Sequence, residues 1–100
     1  MISPSQELLT KKIMAIFSQI QEQGFKLDSA GFEMWTTYDS KSKLISVRVA
    51  ADFHNTMNLS TNSLISELVS TESRNAIARL RYVLSQIKVL IATHNFKEAA

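Results

Sequence analysis

The sequence predicts a small α+β domain with the element order αββ(β)αα. Three observations carry the prediction. Apolar residues recur at three–four spacing near both ends of the chain, and the period drops to two between residues 32 and 53. Turn formers are scarce, with two glycines and one proline in 100 residues. A chain of this length makes one domain, 1–100. Its 45% hydrophobic content is too high for a disordered segment. So small a core is marginal by itself, and self-association is expected.

The first helix is predicted over Pro4–Gln23. Ser3 is placed to cap it, Pro4 takes the first helical position where a missing N–H costs nothing, and Gln6 completes a capping-box-like arrangement. Leu9, Ile13, Ile16, Phe17 and Ile20 form one apolar face, with Lys11, Ala15, Ser18 and Glu22 opposite. Gly24 reads as the stop, and residues 25–30 as a connection.

Next comes a β-hairpin. Phe32, Met34, Thr36 and Tyr38 alternate with Glu33, Trp35 and Thr37. After a polar turn, Ile45, Val47, Val49, Ala51 and Phe53 alternate with Ser46, Arg48, Ala50 and Asp52. A turn centred between Ser40 and Lys41 pairs Phe32 with Val49 and Met34 with Val47, and sets Glu33 opposite Arg48. Two strands are rarely stable without a third, and Asn55–Leu59 alternate in a way that suits a short one. Leu64, Ile65, Leu68 and Val69 read as a short amphipathic helix behind the caps at residues 60–62. A bend at residues 70–73 then leads to a long C-terminal helix, Ser73–Asn95.

That last helix carries the functional lead. Ile77, Leu80, Leu84, Ile87 and Ile91 make its core stripe, widened by Ala76, Val83 and Leu90. Ala78, Tyr82, Val89 and Ala92 fall on the far side and suggest a partner surface, although scattered exposed apolar residues are also normal. Residues 73–97 hold five of the eleven basic groups and none of the nine acidic ones. Arg74, Arg81 and Lys88 repeat every seven residues, Arg79 takes the other flank, and Lys11 and Lys12 join from the first helix. Guanidinium and ammonium groups in such an array suit a polyanion backbone. The plain alternative is a solvated charged edge whose stems cover apolar surface.

Other chemistry is sparse. The chain has no cysteine, so disulfides and thiolate sites are excluded. His54 beside Asp52, and His94, have no second ligand at metal spacing. Glu33, Asp39 and Asp52 are spread along the hairpin, and neither a GxSxG elbow nor a glycine-rich phosphate loop occurs. No catalytic residue, metal or cofactor is expected. Trp35, on the polar hairpin face near Arg48, suits a packed partner surface better than a stacked base. With no signal-like start and no apolar run of about 20 residues, a cytoplasmic protein without membrane contact is expected.

The segments Lys43-Leu44-Ile45-Ser46-Val47-Arg48-Val49, Met57-Asn58-Leu59, Leu68-Val69 and Asn75-Ala76, taken in this order of elements, resemble the YbaB-like family of small nucleoid-associated proteins across roughly residues 32–90. In that family a glycine-containing turn usually follows the second strand, where this chain has Ala50-Ala51-Asp52. The resemblance implies a homodimer that contacts double-stranded DNA through its first and last helices, here Lys11, Lys12, Arg74, Arg79, Arg81 and Lys88. The competing expectation is an interaction module, such as a phage, plasmid or accessory regulator. It would dock on a larger protein through the long helix and the hairpin face, with Trp35, Ala78, Tyr82 and Val89 at the contact.

Overall fold

A computed structural model describes residues 4–51 and 63–99. The expected cap Ser3, the residues Asp52 and His54 and the strand expected at 55–59 lie outside the described residues, as does the His94 side chain.

Helix α1 (Pro4–Glu22) forms where the first apolar period runs, and it buries Ile13, Ile16, Phe17 and Ile20. The helical path does not stop at Gly24. Gln23 keeps helical dihedrals, φ −71° and ψ −12°, and the chain continues into α2 (Gly24–Ser29) where the sequence predicts a connection. Six residues are too few for a helix to stand alone. Burial of Leu27 holds this one, contributing roughly 2 kcal/mol. At Gly24 an added Cβ would lie 3.3 Å from Met34 Cε, the flexible end of that side chain. The true terminator is Gly31, whose φ of +87° turns the chain into the sheet.

Strands β1 (Phe32–Asp39), β2 (Leu44–Ala51) and β3 (Ser63–Ser70) form an antiparallel meander with β2 in the centre. The hairpin register lies two residues from the expected one. Met34 faces Val49, Glu33 faces Ala50, and Arg48 faces Trp35. The loop is Ser40–Lys43. Asp39 Oδ1 accepts from the backbone N–H groups of Lys41 at 2.9 Å and Ser42 at 3.4 Å, and Lys43 takes a left-handed φ of 61°. A shift of two preserves which side chains share a face, so the expected apolar face stands while the Glu33–Arg48 pairing does not.

The third strand is the segment expected to be a helix. Ile65 and Val69 face Val49 and Ile45 across the ladder and are buried with them. Leu64 and Leu68 stay half-exposed, at 50% and 55%. The spacing Leu64-Ile65/Leu68-Val69 fits either period, and pairing with β2 decides it. The described residues accordingly hold one C-terminal helix, not two.

Helix α3 (Ala76–Ala99) starts three residues later than expected. The turn before it is built by serines: Ser70 Oγ accepts from the Glu72 N–H and Ser73 Oγ from the Asn75 N–H, each at 3.2 Å. Arg74 therefore lies in this turn and not on the helix edge. α3 buries Ala76, Leu80, Val83, Leu84 and Ile87 against the same sheet face that α1 and α2 cover. The result is two layers, helices over sheet, with the second sheet face uncovered by any described helix.

Candidate nucleic-acid interface

The basic residues are placed by helix phase. At 100° per residue, Arg79 falls on one flank of the α3 core stripe, and Arg81 and Lys88 on the other. Arg79 lies over β3, where its Nη2 donates to Glu67 Oε2 at 2.9 Å. The flank of Arg81 and Lys88, shared with Leu84 and Ile91, is the one beside α1. On α1, Gln21 Nε2 donates to Thr36 Oγ1 at 3.4 Å, which sets that flank over β1. Lys12 sits on the opposite flank of α1, toward α3.

Lys12, Arg81 and Lys88 thus border the outer seam between the two helices from both sides, all three exposed. Arg81 and Lys88 are two turns apart, about 10 Å along the axis. Lys11 points further toward solvent, and Arg74 stands in the turn at the start of α3. Among the described residues Arg79 is the one cation held by a carboxylate; Lys11, Lys12, Arg74, Arg81 and Lys88 have no such partner there. The six basic residues singled out in the sequence therefore split into one structural ion pair and five solvated cations, three of them along one seam. Unpaired cations on a water-exposed ridge can neutralise phosphates without first giving up an internal partner. Gln19, seven residues after Lys12, shares its flank of α1 and is exposed beside these cations.

The apolar candidates also split. Trp35 lies half-buried on the helix-free sheet face, opposite Arg48. Ala78, Tyr82 and Val89 lie on the other layer, exposed on α3, with Tyr82 at 60% and Val89 at 62%. Two surface grooves run beside them where α3 overlies β3. One is lined by Glu67, Asn75, Ala78, Arg79 and Tyr82, the other by Leu64, Ile65, Tyr82, Ser85, Gln86, Val89 and Leu90. Leu64 belongs to this surface, whereas Leu68, paired with Ser46, lies on the helix-free sheet face. The sequence does not announce them, because a helix at residues 64–69 would bury them.

Among the described residues, Asp39 is the carboxylate with a perturbed ionisation. The Lys41 backbone N–H first, then the Ser42 hydroxyl and N–H, hold it below the ordinary aspartate range. Those partners make it a turn residue. Among the described residues, no grouping of three His, Asp or Glu side chains could hold a metal ion, and no helix is long and apolar enough to cross a membrane. No protein-family model, curated protein or solved structure matches the chain.

Proposed function

We propose that this protein is a homodimer that binds double-stranded DNA through its phosphates, with little sequence preference. The observation that carries the reading is the seam of Lys12, Arg81 and Lys88, unpaired among the described residues while nearby Arg79 is neutralised by Glu67. The YbaB-like resemblance supports the same reading. A dimer doubles the array and grips one duplex at two places. Fluorescence anisotropy with two unrelated duplexes tests it. Both should bind with similar affinity at low salt, and Arg81→Glu with Lys88→Glu should remove binding while the circular dichroism spectrum stays that of the parent. Equal binding by the charge-reversed protein would contradict the reading.

A second reading has its own observation. Tyr82 and Val89 are exposed beside an apolar groove. If the protein is an interaction module for a larger partner, Tyr82→Asp abolishes capture of that partner while DNA is never bound. Low-salt DNA binding by the parent protein separates the two.

A further inference from the structure

A homodimer needs a self-complementary surface, and the edge of β3, free among the described residues, supplies one. We propose that two copies join edge to edge through β3, antiparallel about a two-fold axis. The product is a six-stranded sheet with the two α3 helices side by side above the junction. This deepens the homodimer reading and rests on it.

The strand itself is suited to pairing. β2 is central, so β1 and β3 each present one row of backbone N–H and C=O groups. Proteins normally blunt such an edge with lysine, proline, a bulge or short length. β3 runs Ser63-Leu64-Ile65-Ser66-Glu67-Leu68-Val69-Ser70 and contains no lysine, arginine or proline. Its one charge is already held by Arg79 at 2.9 Å. The register irregularity at Val49/Ala50 limits the regular edge to Ile65–Ser70, which still leaves six residues to pair. The other edge, β1, bears Glu33 and Asp39 and has α2 packed against it.

The helix that overhangs the β3 edge is suited to the same junction. Tyr82, Gln86 and Val89 line the groove that α3 forms with Leu64 and Ile65 of β3, and all are uncharged. Antiparallel β3 strands bring the two α3 helices together antiparallel along this side, within the 8–10 Å over which helices pack. Arg81 and Lys88 lie on the far flank, which leaves the basic seam open, and Arg79, the cation on the near flank, is paired with Glu67 of β3. The grooves lined by Tyr82 then receive side chains of the second copy.

Surface area agrees. The chain exposes 7008 Å², whereas a compact monomer of 11.3 kDa exposes about 5,700 Å². Its radius of gyration is 15.0 Å against about 13 Å for a globule of 100 residues. The surplus, about 1,300 Å², exceeds the roughly 800 Å² per partner that a stable interface buries.

The chain has no native cysteine, which makes the test clean. Ser66→Cys, Leu68→Cys and Ser70→Cys, singly and in equimolar mixtures, are oxidised and run on non-reducing gels. Directly opposed residues of an antiparallel pair lie about 4.5–5.5 Å apart at Cα, within disulfide reach. One single variant or one mixture should cross-link strongly, the combination marking the axis, while Thr37→Cys on β1 stays uncross-linked. Tyr82→Asp should weaken dimerisation by about 30-fold or more in sedimentation equilibrium. A dimer in sedimentation with no β3 cross-link in any combination overturns the edge-to-edge junction and leaves the homodimer reading standing. A monomer at all concentrations overturns both and leaves the edge to a strand of another protein.

Discussion

Lys43 and Gly31 both sit in the left-handed region, at φ 61° and 87°. For the lysine this is a cost of the hairpin, because Cβ crowds the following carbonyl. Lys43→Gly should stabilise the protein by up to about 1 kcal/mol, the relief being partly offset by a freer unfolded chain. Gly31→Ala should cost about 1 kcal/mol. Nothing lies within 4 Å of the added Cβ, so this penalty is backbone strain alone. Urea midpoints check both. Asp39 carries the pH prediction. Its folded pKa is depressed, so its stabilising effect is present above the unfolded value of about 3.9 and is lost as pH falls through the folded value. An NMR titration should find the Asp39 carboxyl ionising below the ordinary range. Asp39→Asn should lower stability at neutral pH, and the difference from the parent should shrink as acid protonates the parent's carboxyl. The Arg79–Glu67 pair is 45% and 30% exposed, and water screens it. Glu67→Ala should cost less than about 1 kcal/mol.

Elements differ in how openly the sequence declares them. α1, α3 and the hairpin faces are legible because each repeats one period over many residues, and Ile13, Ile20, Leu80 and Ile87 are buried where that period puts them. Helix α2 is not legible: its one buried side chain is Leu27, and tertiary burial decides its conformation. The hairpin register is hidden because the turn uses Asp39 as a side-chain acceptor and Lys43 in a left-handed conformation, without a glycine to mark it. β3 is hidden because Leu64, Ile65, Leu68 and Val69 satisfy a helix as well as a two-sided strand. The same ambiguity conceals half the surface beside α3, and with it the partner of Arg79. Alanine substitution separates the alternatives for β3. Ile65→Ala should cost about 2–5 kcal/mol and Leu68→Ala less than about 1 kcal/mol, because the first is buried and the second faces solvent. Similar costs at both positions would point back to a helix with one buried face.

The molecule as a whole is a thin plate, 52 × 29 × 19 Å, two layers deep. Its helical layer carries the solvated cations and its β3 side carries exposed apolar surface. The two features involve different residues of α3, so the proposed self-association and the proposed DNA binding would not compete for the same side chains. Arg74 and Lys11 stand outside the seam. Reversing the charge of either should weaken DNA binding less than reversal at Arg81, a comparison that anisotropy at fixed salt makes directly.

If cations along the α1–α3 seam bind DNA by neutralising phosphates, affinity must fall as salt rises. The most direct measurement is therefore the affinity for a duplex across a range of salt concentrations. Three seam cations per protomer, doubled in the dimer, give a slope of log K against log salt of about −5. The same slope should appear for unrelated duplexes. Lys88→Ala should make it shallower by about 2, because each protomer then neutralises one phosphate fewer. Absence of binding at low salt, or affinity that does not change with salt, would contradict the account.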